Sequence, residues 1–167
     1  MATRPLIPME VYLTSVYRPD CDYVDGEVLE RNFGGRKHGR LQLKLGAFFL
    51  ARQEQWGTYA IVEQRVRVQA GRYRVPDVCV VLGATEEEVL SVPPFLCIEI
   101  LSPEDRMTRV WERLHDYFEM GVPNVWIIDP ETRSTHIASS SGDLHRVTDN
   151  LRTGDPVLEV PLSEIFE

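Results

Sequence analysis

Two apolar runs, each interrupted by a single carboxylate, constrain this chain more than any other feature. They are Tyr73-Arg74-Val75-Pro76-Asp77-Val78-Cys79-Val80-Val81 and Phe95-Leu96-Cys97-Ile98-Glu99-Ile100-Leu101-Ser102-Pro103. Runs of Val, Ile, Leu and Cys bounded by turn residues read as buried strands. A carboxylate placed there loses its water, which is costly unless it gains a partner. Two of them on neighbouring strands are accounted for by a cation between them. Hard divalent ions such as Mg²⁺ take carboxylate and water oxygens. Asp77 and Glu99 are therefore candidate metal ligands of a metal-dependent hydrolase. The alternative is a salt bridge from each to one of the many arginines. If the two strands pair antiparallel with positions of equal sum opposed, Cys79 faces Cys97 and both carboxylates share one face.

Bulk properties narrow the setting. The 167 residues fit one domain, 1–167, with room for a core. Apolar residues make up 43% and charged residues 26%, as in an ordinary globular protein. No apolar run approaches the roughly 20 residues of a membrane span, and the first residues carry no apolar signal segment. Cys21, Cys79 and Cys97 have no metal-ligand spacing, so a reduced, cytoplasmic protein is expected. The net charge of −8 disfavours a general nucleic-acid binder. It does not exclude a nuclease, whose carboxylates add negative charge. Of the 18 basic residues only two, Lys37 and Lys44, are lysines.

Along the chain, residues 8–16 read as a short helix opened by Pro8. Asp25-Gly26 within 22–30 is a hairpin turn. Residues 36–55 form a helix with Leu41, Leu45, Phe48 and Phe49 at helical spacing. Strands are expected at 58–69 and 72–82 around Gly71, and at 95–101. A helix over 104–120 buries Met107, Val110, Trp111, Leu114 and Phe118 and ends at Gly121. Arg106, Arg109 and Arg113 share a flank of it by i+3/i+4 spacing. Further strands fall at 124–129, 134–138 and 143–148, and a helical turn closes the chain near 161–166. The helix between strands 95–101 and 124–129 implies a right-handed crossover and a parallel pair. The strands before it form an antiparallel meander. Trp126, Ile127 and Ile128 read as core strand.

This order of elements and carboxylates resembles the PD-(D/E)XK nuclease superfamily, and within it the Uma-two-like group of restriction-endonuclease-like proteins. The pieces that carry the resemblance are Asp22-Tyr23-Val24-Asp25-Gly26-Glu27-Val28, His38, Arg74-Val75-Pro76-Asp77-Val78, Ile98-Glu99-Ile100-Leu101-Ser102-Pro103, and Tyr117 through Gly121-Val122-Pro123-Asn124-Val125-Trp126-Ile127-Ile128-Asp129-Pro130. They span about residues 10–165. The resemblance implies a restriction-endonuclease-like α/β fold with a central mixed sheet flanked by helices. It implies Asp77 and Glu99 as metal ligands, joined by the Ile100 carbonyl, and Glu27 near the metal. It expects a lysine two residues after the Glu, where this chain has Leu101, or four before the helix-end Tyr, where it has Arg113. An arginine holds charge on a phosphate but is never neutral and cannot act as a general base.

The function expected is Mg²⁺- or Mn²⁺-dependent phosphodiester hydrolysis of DNA, with Asp77, Glu99, Arg113 and Glu27 catalytic. By analogy, a homodimer would cut both strands of a duplex. The alternative is an inactive PD-(D/E)XK-fold module that binds nucleic acid or protein. His38, Arg65, Arg67 and Arg74 are candidate substrate contacts. Each has a plainer reading: a satisfied half-buried histidine and a solvated arginine face. Glu27 reads equally as a surface hairpin residue, and Arg113 as a solvated helix arginine paired with Glu112 or Asp116.

Overall fold

The computed structural model describes residues 5–166. A short helix α1 (Met9–Thr14) precedes the hairpin β1 (Asp22–Val24) and β2 (Glu27–Leu29). The hairpin turns where expected: Asp25 and Gly26 have φ of +50° and +97°, the left-handed pair that a two-residue turn of this hand requires. Helix α2 (Arg36–Leu50) and the single turn α3 (Gln53–Trp56) follow. Then come β3 (Thr58–Val62), β4 (Val66–Gln69), β5 (Arg72–Arg74), β6 (Val78–Leu82) and β7 (Leu96–Ile100). Helix α4 (Met107–Met120) leads to β8 (Asn124–Asp129), β9 (Ser134–Ala138) and β10 (Leu144–Val147). The small strands β11 (Asn150–Arg152) and β12 (Glu159–Pro161) and the turn α5 (Leu162–Ile165) complete it.

The main sheet has six strands in the order β10-β9-β8-β7-β6-β3. Within it only β7 and β8 are parallel, joined across α4, as the crossover reading requires. The β6–β7 register sets Cys79 opposite Cys97, as the sum rule predicts. Alternation along the strands then divides the core. Val78, Val80, Ile98, Ile100, Trp126 and Ile128 pack with Leu41, Leu45, Phe48 and Phe49 of α2 on one face. Cys79, Val81, Cys97, Val125 and Ile127 pack with Val110, Leu114 and Tyr117 of α4 on the other. Glu99 shares the parity of Cys97 and belongs to the α4 face, whereas Asp77 precedes β6 and lies outside its ladder.

Several elements depart from expectation for local reasons. The run 58–69 breaks after β3, where Glu63 takes a φ of +50°. The run 72–82 breaks at Val75-Pro76-Asp77, where Pro76 has no N–H to offer a ladder. The severed halves β4 and β5 join β1 and β2 in a separate four-stranded sheet, order β2-β1-β5-β4. The helix expected over 36–55 ends at Leu50 and resumes only as α3. Helix α4 begins at Met107 rather than 104, because residues 101–106 form a turn in which Ser102 N–H donates to Asp105 Oδ2 at 2.7 Å. Met107 consequently lies 42% exposed instead of in the buried stripe. Strands β11 and β12 have no counterpart in the sequence pattern. Among the described residues no helix is long and apolar enough to cross a membrane.

A buried ion-pair cluster locks the small sheet to α4. Arg74, 2% exposed, donates from Nε to Asp116 Oδ2 at 2.6 Å and from Nη1 to Asp22 Oδ2 at 3.0 Å. Arg72 Nη1 reaches Asp116 Oδ1 at 2.8 Å. The Val75 N–H donates to Asp22 Oδ1 at 2.9 Å, so β5 enters the Pro76 turn with its backbone tied down.

Candidate active site

The carboxylates of Asp77 and Glu99 lie at the end of β6 and β7, at 2% and 1% exposure. Asp77 Oδ2 accepts the Ile100 N–H at 2.7 Å. Its Oδ1 accepts from the Arg31 guanidinium and lies 3.2 Å from His38 Nε2. Gln42 Nε2 donates to the Asp77 carbonyl at 2.9 Å, so α2 grips this residue twice. Burial alone would raise the pKa of Asp77, but Arg31, His38 and the Ile100 amide outweigh it and hold the carboxyl below its ordinary range. Burial also opposes charge on His38, yet the hydrogen bond and charge of Asp77 raise its pKa above the usual histidine value.

Glu99 is held from α4. Tyr117 donates its hydroxyl to Oε1 at 2.6 Å, and Arg113 Nε stands 3.1 Å from Oε2. That Nε is buried and has no aligned hydrogen-bond acceptor, so the contact is an ion pair and leaves a donor to spare. Arg113 Nη2 also lies 3.9 Å from Asp105 Oδ1. Burial pushes the Glu99 carboxyl up to about 7, with the Asp77 charge adding to it and Arg113, Arg31 and Tyr117 pulling against it. Burial likewise keeps the Tyr117 phenol well above its usual value, so it remains a neutral donor.

Between these groups lies a cavity of about 10 Å³, lined by Asp77, Glu99, Ile100, Ser102, Arg113 and Arg31 among others. That is room for about one water-sized species. Among the described residues no group of three or more His, Cys, Asp and Glu side chains is arranged to hold a metal. The carboxylates lining this cavity are those of Asp77, Glu99 and Asp105, with His38 and Ser102 beside them. A donor set dominated by carboxylate oxygen fits Mg²⁺ or Mn²⁺, which keep several waters and ask few ligands of the protein.

The other expected residues divide. Arg113 faces Glu99 and not Asp116, whose two oxygens are taken by Arg72 and Arg74. Arg106 and Arg109, expected on the same flank, are exposed. Glu27 is exposed next to the hairpin turn and is not among the residues lining the cavity. Arg74 is corrected from substrate contact to the interior ion-pair cluster. Arg65 is corrected likewise: its guanidinium pairs with both oxygens of Asp20 at 2.7 Å, donates to the Tyr12, Leu13 and Ser15 carbonyls, and stacks 4.4 Å from the Tyr12 ring. Arg67 is exposed but lines a different cavity, with Glu119 and Met120.

Sequence reasoning missed Arg31 and Asp105. Arg31 follows β2 in an acidic stretch, and nothing in its spacing connects it to Asp77. Asp105 accepts from Asn32 Nδ2 at 3.0 Å, pinning the 30–33 segment over the site. Gly34 then turns the chain against His38: a Cβ there would meet the imidazole at 2.5 Å.

Comparison with known proteins agrees with this geometry. The family model "Uma2: Putative restriction endonuclease" matches residues 13–164. No curated protein matches the chain. Among solved structures, the chain is similar to a crystal structure described as a "putative nuclease belonging to DUF820" from Anabaena variabilis ATCC 29413. The TM-score is 0.81 at 19% identity, over 94% of this chain and 95% of that one. That likeness shows that the two chains share a fold.

Proposed function

The chain belongs to the Uma2 family of restriction-endonuclease-like proteins, and from that premise we propose that it hydrolyses phosphodiester bonds of DNA with a divalent cation held by Asp77 and Glu99. The observation that carries this reading is the pair of buried carboxylates lining one water-sized space. Asp77 and Glu99 would hold Mg²⁺ or Mn²⁺ together with the Ile100 carbonyl. When bound, the ion supplies Lewis-acid polarisation of the scissile phosphate and a more acidic water. His38 and Gln42 orient Asp77, and Tyr117 orients Glu99. Arg113, with its spare Nε donor, holds the negative charge that grows on the phosphate. It cannot take a proton from water, so the superfamily lysine is replaced in electrostatics only. A duplex cut on both strands needs two such sites, which makes a homodimer part of this reading.

One observation favours a second reading. Both carboxylates already have guanidinium partners, Arg31 on Asp77 and Arg113 on Glu99, so the acid pair is charge-balanced by the chain itself. A module that kept the fold and bound nucleic acid or protein without cutting would look the same. Metal-titrated cleavage of labelled duplex DNA, single-stranded DNA and RNA separates the two. Cleavage of DNA that requires Mg²⁺ or Mn²⁺ and is lost in Glu99→Gln is the expected result. Cleavage that survives in Glu99→Gln contradicts the site. Binding without cleavage under any metal supports the second reading.

A further inference from the structure

A concentration of surface positive charge lies away from the β4–β5 hairpin. It occupies a groove of about 370 Å³ on the exposed side of α2, lined by Arg36, Lys37, Arg40, Lys44 and Arg133, with Glu131 the one carboxylate among the described residues. Arg36 and Arg133 stand on its two walls, with Lys37 and Glu131 paired between them, on a chain of net charge −8. Both lysines of the chain are in it. The same helix delivers His38 to Asp77. The groove's other wall is the turn that follows β8, and β8 runs parallel to the Glu99 strand with Ile128 beside Ile100. Groove and acid pair therefore sit at the same, carboxyl end of the parallel strands, where open α/β sheets bind ligands.

Local stability does not explain this arrangement. Cations near a helix N-terminus oppose its dipole, yet α2 begins Arg36-Lys37, with no acidic residue in its first turn and no side-chain cap. The facing turn is ordered: Asp129 Oδ1 accepts the Glu131 N–H at 2.8 Å, and Asp129 Oδ2 accepts the Thr132 hydroxyl at 2.8 Å. It presents Glu131 to Lys37 Nζ at 2.6 Å, an exposed pair that a phosphate can displace.

We infer that this groove is the track for the sugar–phosphate backbone of the nucleic acid that enters the acid-pair site. The inference rests on the nuclease reading and adds to it the surface by which the substrate is held. Side chains such as Arg36, Lys37 and Arg133 meet phosphates without reading sequence, and each phosphate neutralised releases counterions.

The test is binding of a fluorescein-labelled duplex of about 20 base pairs to the full chain in EDTA, followed by anisotropy across a salt series. Three chains are compared: the parent, Arg36→Ala/Lys37→Ala/Arg133→Asn, and Glu131→Gln. Asn is chosen at 133 because Arg133 has a φ of +57°, which Asn tolerates. The triple variant should bind about tenfold or more weakly, and its slope of log K against log salt should flatten by roughly 0.9 for each phosphate that is no longer neutralised. Glu131→Gln should bind a few-fold tighter, because Lys37 loses its competing partner. All three should melt within a few degrees of one another, since the changes are at the surface. A parent that binds while the triple variant matches its affinity and slope overturns the groove but leaves the nuclease reading. A parent that binds no nucleic acid overturns both.

Discussion

Under the proposed function, Arg31 is the residue on which metal binding turns. It occupies Asp77 Oδ1, the oxygen nearest His38, so a cation entering the site competes with a guanidinium. Arg31→Ala should therefore have two opposed effects. The metal-free protein should lose roughly 3–5 kcal/mol, as when one partner of a buried pair is removed. Its affinity for Mn²⁺ should rise, and the melting-temperature gain on adding Mn²⁺ should exceed the parent's. A variant that melts lower and gains nothing from the metal would make Arg31 purely structural. At Arg113 the expectation differs. Arg113→Lys should keep or raise cleavage and Arg113→Ala should lower it about 10²-fold or more, as when one transition-state donor is removed. Mn²⁺ binding should survive both, because Arg113 is no ligand. Glu99 sets the pH response. Its folded-state pKa, about 7, lies above the ordinary 4.5. Its contribution to metal-free stability is complete below pH 4.5 and disappears as pH rises through 7. In EDTA the parent should lose stability relative to Glu99→Gln between those values. Mn²⁺ affinity should climb about tenfold per pH unit up to pH 7 and level off above it, since binding needs the ionised form. An affinity flat from pH 5.5 to pH 8 would contradict that assignment.

At the scale of elements, what is legible in the chain is what depends on alternation and period. The register that sets Cys79 against Cys97 follows from two apolar runs and a sum. Strands β8 and β9 end where their turn residues stand. The parallel pair follows from the length of the intervening helix. What is not legible depends on partners distant in sequence. Arg65, Arg67, Arg72 and Arg74 look alike as a hairpin face. Only the fold shows that Arg65 closes on Asp20, that Arg72 and Arg74 share Asp116, and that Arg67 alone of the four is exposed. The splitting of 58–69 and 72–82 into two sheets is hidden for the same reason: β5 leaves the main sheet to meet β1. The Asp22–Arg74–Asp116 cluster makes a testable joint between the small sheet and α4. Arg74→Ala takes a guanidinium from two buried carboxylates, leaving Asp116 to Arg72 and Asp22 to the Val75 N–H, and should cost about 3–5 kcal/mol in urea unfolding, more than a surface pair, whose removal costs about 1 kcal/mol or less. A cost below about 1 kcal/mol would mean that water reaches Asp22 and Asp116. Gly34→Ala should displace the His38 ring and weaken metal binding while leaving the core intact, which a Mn²⁺ titration beside a thermal melt would read.

For the molecule as a whole, the sheet brings three things to one end: a buried acid pair, two guanidiniums that balance it, and a basic groove on a chain of acidic net charge. The central claim is that the acid pair holds a divalent cation against its own arginines. Calorimetric titration of Mn²⁺ into the parent, Asp77→Asn and Glu99→Gln at pH 8 addresses it without relying on cleavage. The expected result is saturable binding by the parent, with disappearance of that binding in each variant while the fold persists in its melting transition. Binding of equal strength in all three proteins, or none in the parent and none in Arg31→Ala, would contradict it.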